Sequence, residues 1–267
     1  MKIVKLFDDS LTYPIREWKK LIILGILFVV MNIFNILPIF WIGIHRNLPI
    51  DILNIISLIL LLIIILIISG YTLSITRNTI NNLERNIPEL DWVNNIIDGI
   101  KVVVLTIVYY IIPVIVTLIT FYIVGAFDFI NQIISNYAVY GSINQTLESI
   151  TIGNDLNILI VLILALILYI LFSLLFLVAK AVLAETKSLA TAVNMIDVFK
   201  KIGQIKWKNY IVWVILFTVI SSFINLVIGI IVFIPFIGVI FVSLIVNPYV
   251  EIFSARALGL IYNESKE

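Results

Sequence analysis

Apolar residues in this chain run in long unbroken stretches and do not alternate with polar ones. Leu21–His45 and Ile52–Thr76 are each 25 residues without a formal charge, Val102–Phe127 is 26 and Leu156–Ala179 is 24. Each exceeds the roughly 20 residues that a helix needs to cross a bilayer. Asn209–Val250 stays uncharged for 42 residues. That is about 63 Å of helix, enough for two crossings of a core about 30 Å thick. Ile234-Pro235-Phe236-Ile237-Gly238 supplies the break between them. Lipid admits only helices and closed barrels, and a barrel would show period-two segments of roughly 10 residues. The pattern therefore predicts an all-α fold, a polytopic transmembrane helical bundle. Its six spans are expected near 21–44, 52–75, 102–126, 156–180, 210–233 and 236–258, within a single integral membrane domain, 1–267.

The polar stretches predict the connections. His45–Asp51 is short, which makes the first two spans an antiparallel hairpin. Gly125–Asp155 is the longest connection, and its FDFINQIISNY segment reads as a short amphipathic helix. Met1–Lys20 interleaves Phe7, Leu11, Tyr13, Ile15 and Trp18 with charge, as in a segment on the membrane surface or an ordered flank. Glu185–Ile205 carries Leu189, Val193, Ile196, Phe199 and Ile202 at helical spacing and reads as an amphipathic helix in the interface. The linker Arg77–Lys101 is expected on the same surface, with Trp92 and Trp207 at headgroup depth.

Charge then gives a threading. Of 17 basic residues, only Arg46 falls in an odd-numbered linker, and the others lie in alternate segments on one side. The positive-inside rule places those segments, and both termini, in the cytoplasm of a cell (plasma) membrane protein. Composition agrees: 62% of residues are hydrophobic and 12% charged, with a mean hydropathy of +1.19. Soluble domains hold about 45–50% apolar and about 25% charged residues. Net charge is +1, which argues against a nucleic-acid partner, and there are no cysteines for disulfides, thiolate metal sites or thiol nucleophiles.

Candidate chemistry is sparse. His45 is the one histidine and has no partners for a zinc site. No Gly-x-Ser-x-Gly elbow, phosphate loop or intramembrane aspartate pair appears. No catalytic residue, metal site or cofactor is assigned, and an enzyme is the minority expectation. Asp91, Asp98, Glu185 and Asp197 are expected to cap helices or pair with lysines. Asn144-Gln145-Thr146 fits the N-glycosylation acceptor pattern on the outer side, and Ala255-x-x-x-Gly259 is a small-residue pair suited to close helix packing. Glu251 is the acid that the spans place inside the hydrocarbon or at its inner edge. An unpaired carboxylate there is costly. Arg256 is roughly 140° around the same helix, so an interhelical ion pair from Glu251 to Arg77 or Lys180 is expected, with Pro248 opening the helix nearby.

The stretch Gly70–Pro113 carries an ordered set of matches: Gly70-Tyr71, Arg77-Asn78-Thr79, Pro88-Glu89, Asp91-Trp92, Asp98-Gly99-Ile100-Lys101, Tyr109 or Tyr110, and Pro113. In this it resembles an archaeal family of multispanning membrane proteins catalogued as domain of unknown function 4013. Ile87 stands where that family usually has Leu, and the turn 81–86 lacks a glycine. The resemblance implies an archaeal cell membrane and membership of the whole chain. It implies no activity and no catalytic residues. The expected function is a non-enzymatic scaffold, a lipid-contacting protein or an envelope-complex subunit. Its partners would be membrane lipids and a membrane protein or a second copy. The alternatives are a transporter or permeation unit, and a membrane-embedded lipid-modifying enzyme.

Overall fold

The computed structural model describes residues 3–44, 50–81, 86–142, 145, 155–234 and 237–266. Among them every regular element is helical. In chain order these are α1 (Ile3–Thr12), a 3-10 turn (Tyr13–Glu17), α2 (Trp18–Ile44), α3 (Ile50–Ile80), α4 (Trp92–Ile123) and α5 (Ala126–Tyr140). Then come α6 (Asp155–Thr186), α7 (Leu189–Val193), α8 (Met195–Ile205), α9 (Trp207–Val232) and α10 (Ile237–Phe241). A π-helical segment (Val242–Val246) leads into α11 (Asn247–Asn263).

Five helical stretches are long and apolar enough to cross a membrane: Ile55–Ile80, Trp92–Ile123, Asn157–Thr186, Trp207–Val232 and Ile237–Asn263. The first expected span falls in α2, but the side chains of its outer half, 33–44, lie outside the described residues, as does Asn144. The break at 234–238 is present: α9 ends at Val232 and α10 opens at Ile237. The disturbance expected at Asn247-Pro248 takes the form of the π-helical segment, in which the Asn247 N–H donates to the Val242 carbonyl. Proline has no N–H to continue the regular ladder, and a single wide turn absorbs the mismatch.

Residues 1–105 with 177–267 form one compact unit, and 106–176 a second. In the first, α11 packs against α3, α1 and α2, and α2 packs against α3. Backbones meet where glycine removes the side chain. A Cβ on Gly70 would lie 1.8 Å from the Asn95 carbonyl oxygen, and one on Gly99 2.0 Å from that of Leu66. The two contacts are reciprocal, four residues apart on each helix of an antiparallel α3/α4 pair. Gly259 of α11 is likewise closed against Thr79, 2.6 Å from an added Cβ. In the second unit, the Tyr110 and Ser173 hydroxyls are 2.8 Å apart and Tyr110 stacks on Tyr169. Here α4 passes through Pro113 without interruption.

Three sequence expectations change. The linker is shorter than Arg77–Lys101, because α3 runs to Ile80 and α4 starts at Trp92. Asp91 caps that start by accepting from the Asn94 N–H at 3.2 Å. The interfacial segment Glu185–Ile205 is not one helix but the end of α6, then α7, then α8. Ser188 and Asn194 accept hydrogen bonds from the N–H groups of Thr191 and Ile196, and so begin a new helix each time. The N-terminal lead is folded onto the protein. Leu6, Phe7 and Tyr13 are buried, and the Phe7 ring lies 6.5 Å from Trp213 and 6.4 Å from Phe253. Its apolar side faces α9 and α11, whereas Val4, Ile15 and Trp18 remain exposed.

Candidate functional site

Among the described residues, the buried polar side chains Thr72, Thr76, Thr79, Asn95 and Asp98 gather at the end of α3 and the start of α4. Asp98 is at their centre. Its Oδ2 is 2.8 Å from Arg77 Nη1 and its Oδ1 3.2 Å from Lys101 Nζ. The side chains of Asp98 and Arg77 are 10% and 18% exposed, so both charges depend on protein partners. Arg77 Nε donates to the Ala184 carbonyl at 3.0 Å. That carbonyl is among the last four of α6, which have no partner within their own helix, and a cation there also meets the negative end of the helix dipole. Arg77 thus joins α3, α4 and α6.

One turn earlier in α6, Lys180 Nζ donates to the Thr72 hydroxyl at 3.2 Å. No nitrogen–oxygen contact of 4 Å or less pairs Glu251 with a cation among the described residues. Of the two expected partners for Glu251, Arg77 is engaged by Asp98 and Lys180 by the Thr72 hydroxyl, and neither forms an ion pair with Glu251.

Outside this ionic centre, Tyr71 and residues of the N-terminal segment hold the linker. The Tyr71 hydroxyl donates to the Pro88 carbonyl at 2.9 Å and that of Tyr13 to the Asn86 carbonyl at 3.0 Å. Glu17 accepts from the Ile87 N–H at 2.9 Å, and Lys20 donates to the Ile87 carbonyl. Trp92 is half exposed beside a pocket of about 270 Å³ that is also lined by Lys20, Tyr71 and Glu89.

A second cluster was missed in the sequence. Asp9 contacts Arg256 Nε at 2.8 Å and Nη2 at 2.7 Å, and Arg16 also reaches it. The Arg256 guanidinium lies 4.5 Å from the Tyr13 ring centre. The signal for this was Arg256, a second charged residue beside Glu251 in a largely apolar helix. Among the described residues no group of three or more His, Cys, Asp or Glu could hold a metal ion.

The sequence profile of a family described as protein of unknown function DUF4013 matches residues 52–234, more than half of the chain. The chain belongs to that family. No curated protein and no solved structure matches it. The DUF4013 match contains Gly70, Tyr71, Arg77, Pro88, Trp92, Asp98, Gly99, Lys101, Pro113 and Lys180. Asp9, Glu251 and Arg256 lie outside it.

Proposed function

We propose that this is a non-enzymatic integral membrane protein, a scaffold or envelope-complex subunit, built as one membrane domain over 1–267 with six spans and both termini cytoplasmic. The observation that carries this reading is the bare surface of α9. In its most apolar 18-residue window no residue is buried within the chain. Such a surface is stable only against lipid or another apolar partner. The interior charges fit a structural role, since Arg77, Asp98 and Lys101 are joined to one another and to helix ends. The family resemblance supports an archaeal membrane and a lipid, membrane-protein or second-copy partner.

Reporter fusions after Thr146 and Ile205 test the threading and are expected on opposite sides, with Ile205 cytoplasmic. The same side for both would overturn it. A permeation unit is the second reading, because ionisable residues within spans often mark pathways, and Lys180 and Glu251 are such a pair. Solute or ion flux in vesicles that vanishes with Glu251→Gln, at unchanged stability, would replace the scaffold reading with this one.

A further inference from the structure

The helix α8 has three faces. At 100° per residue, Val198, Ile202 and Ile205 form one, and all three are buried against the protein. Asp197, Lys201 and Gln204 form a polar face, with Lys200 at its edge. Ile196 and Phe199 form the third and are apolar, yet Ile196 is 68% and Phe199 55% exposed. Phe199 meets Trp207, at the start of α9, with ring centres 5.0 Å apart. A helix that only joined α7 to α9 would need one apolar face. The second one, with its aromatic pair, calls for another apolar phase.

Charge surrounds that second face. From Lys187 to Lys208 the chain has five lysines and one acid, Asp197. Lys201 is turned inward, its ammonium 5.5 Å from the Tyr262 ring centre. Lys200, Lys206 and Lys208 are exposed. The Lys200 contact with Asp197, at 3.3 Å and 68% side-chain exposure, is a weak surface pair that leaves the ammonium available. Lys206 adopts φ 71 between α8 and α9, where glycine would carry no steric cost. A threading preference would be met by positive charge anywhere in the connection. Here three exposed ammonium groups accompany an exposed aromatic face.

We propose that α8 lies in the headgroup plane and selects anionic lipid headgroups, with Ile196, Phe199 and Trp207 among the acyl chains and Lys200, Lys206 and Lys208 on the headgroup charge. The inference rests on the membrane reading above and names the lipid class. Basic residues on an interfacial amphipathic helix gain from anionic lipid, and aromatic side chains set the depth.

The chain has no cysteine, so Phe199→Cys and, as a second position, Ile196→Cys can each carry a lone nitroxide label. In nanodiscs of zwitterionic lipid with and without anionic lipid, both labels are expected to be open to oxygen and shielded from a water-soluble nickel quencher. A label at Gln204→Cys is expected to show the reverse. Native mass spectrometry of the same discs then counts retained anionic against zwitterionic lipids. The triple variant Lys200→Gln, Lys206→Gln, Lys208→Gln should lose the anionic preference, by roughly fivefold for each ammonium removed. Lys5→Gln with Lys19→Gln should keep it. Unchanged preference in the triple variant overturns headgroup selection but leaves α8 in the membrane. Labels open to the nickel quencher at both 196 and 199 overturn the placement of α8, while the span reading is judged separately by the reporter fusions.

Discussion

Asp9 and Arg256 are 247 positions apart in the chain and joined at 2.8 Å, which ties the first helix to the last. The contact is reinforced by the Tyr249 hydroxyl, which donates to the Leu11 carbonyl at 2.8 Å. The N-terminal segment is thus a structural part of the first compact unit, although it precedes the residues matched by the family.

This link makes stability depend on acid. Burial raises the Asp9 carboxyl, but hydrogen bonds and positive charge from Arg16 and Arg256 outweigh it and hold the group below its ordinary value of 3.8. A carboxyl with a depressed folded-state pKa contributes stability above its unfolded value, and that contribution is lost as pH falls through the folded value. Melting temperature in detergent is expected to be flat near neutrality and to fall below about pH 4. In Asp9→Asn the acid-side fall should be shallower, from a lower starting point. An equal acid slope in both proteins would show that Asp9 is not the group responsible.

The α3/α4 crossing leaves no room for a methyl group at either glycine. Gly70→Ala and Gly99→Ala are each expected to destabilise by about 3 kcal/mol or more, since the obstructing atoms are backbone and cannot rotate away. Gly203, on the exposed side of α8, has nothing within 4 Å of an added Cβ. Gly203→Ala should instead stabilise, by about 0.5–1 kcal/mol, through helix propensity. Thermal melts of the three variants check the ordering. A tolerated Gly70→Ala would contradict the close approach.

Asp98 stands between two cations, so its removal strands Arg77 in a buried site. Asp98→Asn is expected to cost about 3–5 kcal/mol, as for other broken buried pairs. Arg77→Lys should cost nearly as much, because an ammonium cannot reproduce the planar fork that reaches both Asp98 and the Ala184 carbonyl. The double change Arg77→Met, Asp98→Leu should recover much of the loss, since no buried charge then lacks its partner from that pair. If the double variant is as unstable as the sum of the losses from Arg77→Met and Asp98→Leu made singly, the pair has no coupling and the ion pair is refuted.

Much of this was legible from the sequence because it is dictated by one-dimensional patterns. Uncharged runs set the helices, and the Pro235–Gly238 segment set a break. The glycines and charges of the Gly70–Lys101 stretch also stood out, yet their partners did not. Arg77 pairs with Asp98 and not with Glu251 because α4 begins nine residues ahead of Lys101, which puts Asp98 within reach. The helix split at Ser188 and Asn194 depends on capping by short polar side chains, which an apolar periodicity running through them conceals. The docking of Phe7 and Asp9 is a long-range event. Nothing local distinguishes an amphipathic segment that faces lipid from one that faces α9 and α11.

Glu251 gives the sharpest remaining test, because two basic residues were candidates for it and their surroundings now differ. Arg77 has its charge met by Asp98 and its Nε by the Ala184 carbonyl. Lys180 has a neutral hydroxyl partner, Thr72. In a low-dielectric interior even a separated pair interacts more strongly than on a surface. Two double-mutant cycles separate the candidates. Glu251→Gln combined with Lys180→Met should be less destabilising than the sum of the single changes, by about 1 kcal/mol, within the usual range for coupled neighbours. Glu251→Gln combined with Arg77→Met should be additive within about 0.5 kcal/mol. Detergent melts of the five variants give both coupling energies. Coupling to Arg77 and none to Lys180 would mean that the charges are arranged differently in the membrane. Additivity in both cycles would leave Glu251 without an interhelical role. A stable Glu251→Gln protein that nonetheless fails to complement a chromosomal deletion would then move Glu251 from structure to function.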